Sequence, residues 1–195
     1  MSATLPLFPL HTVLFPGGRL ALRIFETRYL DMIRRCLRDD ACFGVCLIRE
    51  GSEAGEPATF EPVGTSARIV DWSQRTDGLL GITAAGEQRF RVLRSAVQPD
   101  NLVVAEVEWL AEAPPEQIAP AHAPLVELLT GDRDGGDTAA VTDAATLGFR
   151  LSERLSVPPP VRQELLEIDA PSARLARIAD MLQPLLSAAG KTRPA

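Results

Sequence analysis

The sequence is poor in the side chains on which most catalytic and metal sites depend. Lys191 is its only lysine, and His11 and His122 are its only histidines. Neither histidine has a partner at a helical or Cys-x-x-Cys spacing, so no metal site is predicted. Residues 64–68 come nearest to the Gly-x-Ser-x-Gly elbow of hydrolases, but they lack its second glycine. The common zinc and serine-hydrolase chemistries are therefore not expected.

Cysteine is also scarce, and its number is odd. Cys36, Cys42 and Cys46 fall on a predicted helix and strand, at spacings that match no common zinc pattern. These features argue against a disulfide framework, and the thiols are predicted to be reduced and buried. Prolines interrupt the first apolar run and no basic region precedes it, so neither a signal peptide nor a membrane span is predicted. We expect a cytoplasmic protein without a cofactor.

Aromatic side chains and excess positive charge are scarce as well. Aromatic residues make up 5% of the chain, and its net charge is -6. A general binder of polyanions is not expected from this balance, although a clustered basic face stays open. With 195 residues, 46% of them hydrophobic, the chain is long enough to bury one large core or two small ones.

Residues 5–110 show the alternation of a β-rich unit with six or seven strands and one helix. Prolines at positions 6, 9 and 16 remove backbone donors, so the first apolar run is predicted at a sheet edge or a bend. A Pro-Gly-Gly turn at 16–18 leads into an alternating strand, and apolar spacing from Glu26 to Arg38 predicts an amphipathic helix. Later strands are predicted over residues 43–48, 63–74, 79–84, 89–92 and 102–110, with turns at Asp77 and Gly78 and at Gly86.

Helical periodicity replaces the alternation after Pro114 and Pro115, which form the best candidate for a domain boundary. Helices are predicted around residues 125–129, 141–155 and 165–166 and from about residue 170 onward, with a polar loop at 131–138. The sequence therefore predicts an α+β protein. A mixed, mostly antiparallel β unit closed on itself covers residues 1–112, and a small helical bundle covers residues 113–195.

Two segments imitate ligand-binding loops without meeting their rules. Residues 190–192 read like the end of a phosphate-binding loop, but Leu185 stands where the earlier glycine belongs and the strand–loop–helix context is missing. Asp132, Asp134, Asp137 and Asp143 suggest a calcium loop, but the glycine falls at its fifth position rather than its sixth. A solvated tail and a solvated connector are the better interpretations.

Several short runs occur together, in order, along the chain. The opening holds LPLFPL at residues 5–10, VLFPG at 13–17 and LRIFE at 22–26, followed by Arg28 and Tyr29. Together they resemble the opening of the Lon protease N-terminal domain family. Further similarities to that family follow at residues 44–51, 63–67, 77–78, 86–90, 163–167 and 174–175. The chain is therefore identified as a stand-alone, bacterial-type member of this substrate-binding family that lacks the ATPase and protease domains.

The resemblance implies both a fold and a role. The fold is a PUA-like β pseudo-barrel with one inserted helix, followed by a C-terminal helical bundle. The role is the binding of unfolded or tagged polypeptide, as an adaptor in protein quality control, with that polypeptide or a protease or chaperone as the partner. Lon proteases cut peptides with a serine and a lysine in a separate domain, and this chain has neither that domain nor a usable lysine. It is expected to be non-enzymatic.

The candidate polypeptide-binding residues are Phe15, Phe25, Glu26, Arg28 and Tyr29. Glu26 and Arg28 fall at a helix start outside the apolar stripe, so both are expected at the surface. Their alternative role is a helix cap and an ion pair worth at most about 1 kcal/mol. The three aromatic side chains have the spacing of core residues. If exposed, they would form an apolar patch able to take unfolded polypeptide.

The alternative function is the binding of RNA or a modified nucleotide through the PUA-like barrel. Arg68, Arg89, Arg91 and Arg94 would then form a basic stripe on neighbouring strands. The excess of acidic residues weighs against this function, so nucleic acid is not the expected partner. Salt dependence separates the two functions, because contacts to phosphates release counterions and contacts in an apolar groove do not.

Overall fold

The computed structural model describes residues 2–74, 78–130 and 141–190, with the backbone alone at 130 and 184–190. Within these ranges the chain forms six strands and five α-helices. In chain order they are β1 (Ser2–Leu10), β2 (Arg19–Ile24), α1 (Thr27–Asp39), β3 (Phe43–Glu50), β4 (Thr59–Gln74), β5 (Leu80–Val97), β6 (Val103–Trp109), a 3-10 turn (Pro120–His122), α2 (Ala123–Thr130), α3 (Ala144–Arg154), α4 (Pro159–Glu167) and α5 (Pro171–Gly190). This order confirms the predicted α+β class, with one helix inserted among the strands.

The six strands form one mostly antiparallel sheet that closes on itself. Their order is β2-β5-β4-β3-β1-β6, and β5 also pairs with β6, so five strands make a ring with β2 attached to β5. Only the pair β1–β3 is parallel among these pairings. The length of β5 makes the closure possible: residues 80–85 pair with β2, and residues 90–97 pair with β6.

β1 lies between β3 and β6, so the prediction that it forms a sheet edge is wrong. Its two halves nevertheless pair with different neighbours. Residues 2–7 pair with β6 and residues 7–10 pair with β3, so Leu7 is the described residue that pairs on both sides. Pro6 and Pro9 each lie where one side alone is paired. A missing backbone donor is tolerated there as it is at an edge, and this explains how prolines fit a strand inside a closed sheet.

β5 runs without a break through Gly86, where the sequence predicts a turn. That prediction is wrong, because the glycine permits a close contact and not a chain reversal. The turn at residues 16–18 lies against β5: Gly17 N donates to Gly86 O, and Gly86 N donates to Gly18 O, both at 2.9 Å. A Cβ atom at Gly86 would overlap the carbonyl oxygen of Phe15. Residue 86 must therefore lack a side chain.

α1 packs one apolar stripe against the neighbouring strands. The buried residues of this stripe recur at helical spacing and belong to the cluster that includes Ile24 and Val45; they are Tyr29, Met32, Ile33 and Cys36. The helix ends at Asp39; the next residue, Asp40, adopts a left-handed φ of 47°, and Ala41 N donates back to Cys36 O at 3.0 Å. This ending turns the chain directly into β3.

The later helices pack on the sheet as well as on one another, and they lie where helical periodicity predicts them. α3 contacts both α4 and α5. Leu147, Leu165 and Leu175 of these helices share one buried cluster with Phe15 and Val63 of the β region. The proposed boundary at residues 112 and 113 stays a prediction, and this cluster spans it. Asp77, the loop at 131–138 and the tail with Lys191 lie outside the described residues.

Candidate functional site

The start of α1 holds an ion pair between the half-buried Glu26 and the buried Arg28. Arg28 Nη2 lies 3.0 Å from Glu26 Oε2, and Arg28 Nη1 donates to the main-chain oxygen of Asn101 at 3.0 Å. The loop between β5 and β6 thus covers this helix start, and Arg28 is only 6% exposed. The prediction that Arg28 lies at the surface is therefore wrong. Glu26 occupies the N-cap position without a side-chain cap bond, and its carboxylate also accepts from Gly55 N at 3.3 Å.

Two of the three candidate aromatic residues belong to the core. Tyr29 stacks on Phe8 with ring centroids 3.9 Å apart, and the Arg28 guanidinium lies 4.7 Å from the Tyr29 ring centre. Burial raises the pKa of the Tyr29 hydroxyl to about 12. Phe15 is buried among the helices, with its ring centroid 6.3 Å from that of Phe149. Neither Tyr29 nor Phe15 presents a surface to a partner.

Phe25 alone of the five candidates is strongly exposed, and it lines a groove of about 490 Å³. We call this the apolar groove; it is lined chiefly by Phe25, Leu30, Leu37, Trp72, Leu79 and Leu80. Phe25 and Trp72 are each 60% exposed, and Leu37 is 39% exposed. The groove therefore brings two large aromatic surfaces and a leucine into contact with solvent at one place.

Local structure explains how these side chains meet. The chain leaves β2 at Ile24, so Phe25 falls on the extended residue pair that precedes α1. Leu30, Arg34 and Leu37 follow at spacings of four and three residues, which places them on one helix face outside the buried stripe. Trp72 lies near the end of β4, paired in register with Ile82 of β5. The groove is thus the space between that helix face, the end of β4 and the start of β5.

The sequence interpretation missed Trp72 and Leu37, although both carried a signal. Trp72 is a single aromatic residue in the polar run Asp71–Gln74 at the end of a strand. Leu37 has the spacing of an apolar helix face that is expected to be buried, yet it flanks the buried residues of α1, beside Leu30 and Arg34, and is 39% exposed. Large apolar residues set among polar ones at the end of an element are typical of exposed contact surfaces.

The predicted basic stripe does not form on the strands. Arg89 is fully buried and donates to the main-chain oxygen of Leu166 at 2.9 Å, because α4 covers this part of β5. Arg68 forms ion pairs with Glu87 at 2.6 Å and with Asp40 at 2.9 Å. Arg94 forms an ion pair with Glu106 of β6. Arg91 is exposed in register with Glu108. The structure therefore offers no clustered positive face for phosphates here.

Other binding chemistries find little support in the part of the chain that the structure describes. There, no three His, Cys, Asp or Glu side chains lie close enough to hold a metal ion, and the calcium-like aspartates at 132–137 fall outside it. The three cysteines are free; Cys36 and Cys46 are buried and Cys42 is half-buried. Burial raises the pKa of the Cys36 thiol to about 11. None of the helices described is long and apolar enough to cross a lipid bilayer.

Known proteins resemble this chain along most of its length. Residues 4–184 match the ATP-dependent protease La (LON) substrate-binding domain family. The Lon protease of Anaeromyxobacter dehalogenans is 26% identical over 198 residues, which are 93% of this chain and 23% of that protein. Protein cereblon of Gallus gallus is 30% identical over 128 residues, 64% of this chain and 27% of that protein. The chain thus spans about a quarter of the length of these curated relatives.

Two solved structures share the fold. The Lon N-terminal domain protein from Xanthomonas campestris superposes with a TM-score of 0.80 at 39% identity, covering 91% of this chain and 98% of that one. The N terminal domain of Mycobacterium avium complex Lon protease gives a TM-score of 0.70 at 16% identity, covering 91% of this chain and 97% of that one. The second likeness supports the fold alone.

Proposed function

Because this chain belongs to the Lon substrate-binding domain family, we propose that it is a non-enzymatic module that binds unfolded or tagged polypeptide. The substrates of a protease are polypeptides, so a substrate-binding domain of that family needs a surface for them. The apolar groove is the observation that carries the proposal. It exposes aromatic side chains that folded proteins usually bury, next to the helix start that the sequence singles out.

The chemistry of the groove suits an unfolded chain and not a folded surface. Unfolded polypeptides expose the leucine and phenylalanine side chains that folded proteins keep inside. Complete burial of one such side chain contributes roughly 1.5–3 kcal/mol. Phe25 and Trp72 each have 60% of their surface still to bury, so each contributes about 1–2 kcal/mol to binding. Loss of either aromatic ring should therefore weaken binding about tenfold.

Charge contributes little to recognition in this groove. Arg34 is its charged lining residue among those described, and it pairs with Asp31 at 2.9 Å, with both side chains more than half exposed. An exposed pair of this kind contributes at most about 1 kcal/mol and is screened by salt. Binding in the groove should accordingly change little between low and high salt.

The test is binding of a fluorescent, permanently unfolded protein, reduced and alkylated, at two salt concentrations. Trp72→Ser and Phe25→Ser should each weaken binding about tenfold. Leu93→Ser and Val97→Ser serve as matched controls, because these residues are 54% and 56% exposed on β5 away from the groove. Equal binding by groove variants and controls, in correctly folded proteins, would sink the proposal.

In this proposal the protein acts as a cytoplasmic adaptor in protein quality control. Degradation of the bound chain would then be carried out by a partner protease or chaperone-linked ATPase. Capture of such a partner should leave the groove accessible, because an adaptor has to hold both at once. A competition experiment tests this: the unfolded protein is added to the complex with the captured partner. Displacement of the partner from the groove would contradict the adaptor role.

A further inference from the structure

A second cleft, which shares no lining residue with the apolar groove, lies between the junction of β3 and β4 and the helix α4. It has a volume of about 590 Å³, and four of its lining residues are glutamates: Glu50, Glu61, Glu164 and Glu167. We call it the acidic cleft. Two of these glutamates fall in the run QELLE at residues 163–167, which belongs to the family resemblance and to which the proposed function gives no role.

The cleft is not neutralised by its own cations. Arg49 also lines it and lies 3.4 Å from Glu61, and Arg177 of α5 lies 2.7 Å from Glu164. Glu50 and Glu167 have no cationic partner among the described residues. The cleft therefore keeps negative charge at two carboxylates on opposite walls.

A buried acceptor without a partner lies at the floor of the same cleft. Gln163 lines it and is only 5% exposed. Its Nε2 donates to Val63 O at 3.0 Å and to Glu167 Oε1 at 2.7 Å, so the amide orientation is fixed and its two donors are used. Its Oε1 has no hydrogen-bond partner among the residues that the structure describes. Buried side-chain oxygens without a partner are uncommon in folded proteins, so this oxygen is an acceptor still available to a donor that enters the cleft.

We propose that the acidic cleft receives an arginine or lysine side chain of a bound polypeptide. A cationic side chain brings only donors, and it meets the two uncompensated carboxylates and the free amide oxygen of Gln163. A neutral donor would meet the amide oxygen but not the negative charge, and an acidic side chain would meet neither. The inference rests on the proposed function only in taking a polypeptide as the ligand.

The strand β4 fixes the distance between the two surfaces. Glu61 lies near its start and Trp72 near its end, eleven residues later. At ~3.3 Å per residue the cleft and the apolar groove are at most about 36 Å apart along the strand. An extended polypeptide with about eleven residues between its basic and apolar side chains is therefore long enough to occupy both surfaces.

Three fluorescent peptides of equal length test the proposal by polarisation at low salt. The first carries a leucine-phenylalanine pair at one end, the second carries an arginine pair at the other end, and the third carries both pairs about twelve residues apart. The proteins are the wild type, Glu50→Gln/Glu167→Gln, and the control Glu56→Gln/Glu108→Gln. The control changes net charge equally at exposed positions outside the cleft.

The cleft variant should bind both arginine peptides 5- to 25-fold more weakly, roughly fivefold for each carboxylate. The control should bind them as the wild type does, and the leucine-phenylalanine peptide should bind all three proteins equally. Equal weakening in both double variants would show that net charge alone matters and would overturn the proposal. Failure of the arginine pair to improve binding would overturn it as well.

The outcomes separate the two proposals. If the leucine-phenylalanine peptide binds and arginine adds nothing, binding in the apolar groove is supported and the acidic cleft is rejected as a binding site. If the arginine peptide alone binds and loses affinity in the cleft variant, the acidic cleft is supported and binding in the apolar groove is rejected. Where arginine does strengthen binding, high salt should abolish that effect, because exposed charge pairs are screened.

Discussion

Arg89 joins the strands to the helices, so its replacement by methionine tests how the two parts of the chain hold together. The side chain is fully buried on β5. Its guanidinium donates to Leu166 O at 2.9 Å and to Glu112 Oε1 at 3.0 Å, and it lies 3.2 Å from Asp169. Methionine fills most of the space of the apolar stem but has no donor. Arg89→Met thus removes the polar link while it leaves most of the packing in place.

The expected loss is about 1–3 kcal/mol of unfolding free energy, set mainly by the buried main-chain acceptor that Arg89→Met leaves without a donor. The carbonyl of Leu166 loses its donor in a buried place, which costs about 1–3 kcal/mol. Glu112 and Asp169 are 37% and 80% exposed, so water replaces Arg89 at both carboxylates and their share is small. Removal of a buried charge also returns part of its desolvation cost.

Urea unfolding measures this loss with two probes. Both tryptophans, Trp72 and Trp109, lie on strands, while far-ultraviolet circular dichroism reports mainly the helices. The two transitions should coincide in the wild type and separate in Arg89→Met, with the helical signal lost first. Arg94→Met is the matched control on the same strand, because Arg94 is 81% exposed in its ion pair and should cost less than about 1 kcal/mol. Equal losses in the two variants would refute the reasoning.

Two further predictions concern packing and pH. Gly86→Ala should cost about 3 kcal/mol in thermal or urea unfolding, because its methyl group overlaps the Phe15 carbonyl; Gly17→Ala, which meets open space at a φ of +79°, should cost only about 1–2 kcal/mol. Tyr29 is the only tyrosine, and burial raises its pKa from 10.0 to about 12. The folded chain keeps the hydroxyl proton of Tyr29 at pH values where the unfolded chain has lost it. The contribution of this group to the free energy of unfolding is therefore fully present below pH 10 and falls by about 2–3 kcal/mol as the pH rises to 12. Tyrosinate absorbance of the folded protein should show the midpoint near 12, and a midpoint at the unfolded value would contradict the burial.

The strands and helices could be predicted because each shows its own period in the sequence. Val103, Ala105 and Val107 alternate with half-buried or exposed neighbours, and the structure forms β6 there. The inserted helix follows from the recurrence of Tyr29 and Ile33 at helical spacing. Such patterns reflect one buried face, which is a local property of the chain.

Contacts between distant residues could not be predicted in this way. An arginine in an alternating strand usually points to water, but Arg89 bonds a carbonyl that lies 77 residues later. Arg28 is likewise covered by a loop 73 residues away. Gly86 carries the signal of a turn, and only the approach of the loop at residues 16–18 shows why it lies within a strand.

The candidate binding surface was predicted in part. Phe25 lies in the apolar groove, while Phe15 and Tyr29 lie in the core, although all three are aromatic residues of the same opening segment. Their different positions depend on where β2 ends and α1 begins, to within a residue or two. Trp72 joins Phe25 only because β4 and β5 extend past the ring, and strand length is poorly specified by alternation alone.

The closure of the ring has a consequence for how the chain folds. β3, β4 and β5 pair with neighbours in sequence, but β1 pairs with β6, where Ser2 meets Glu108. Pairing over such a separation is slow, because the chain loses the entropy of closing a long loop before the strand contacts form and stabilise it. On the ribosome, the first half of β1 has no partner strand until Val103–Trp109 has been synthesised. Until then Leu5 and its apolar neighbours stay exposed, and the nascent chain is itself an unfolded polypeptide of the kind that it is proposed to bind.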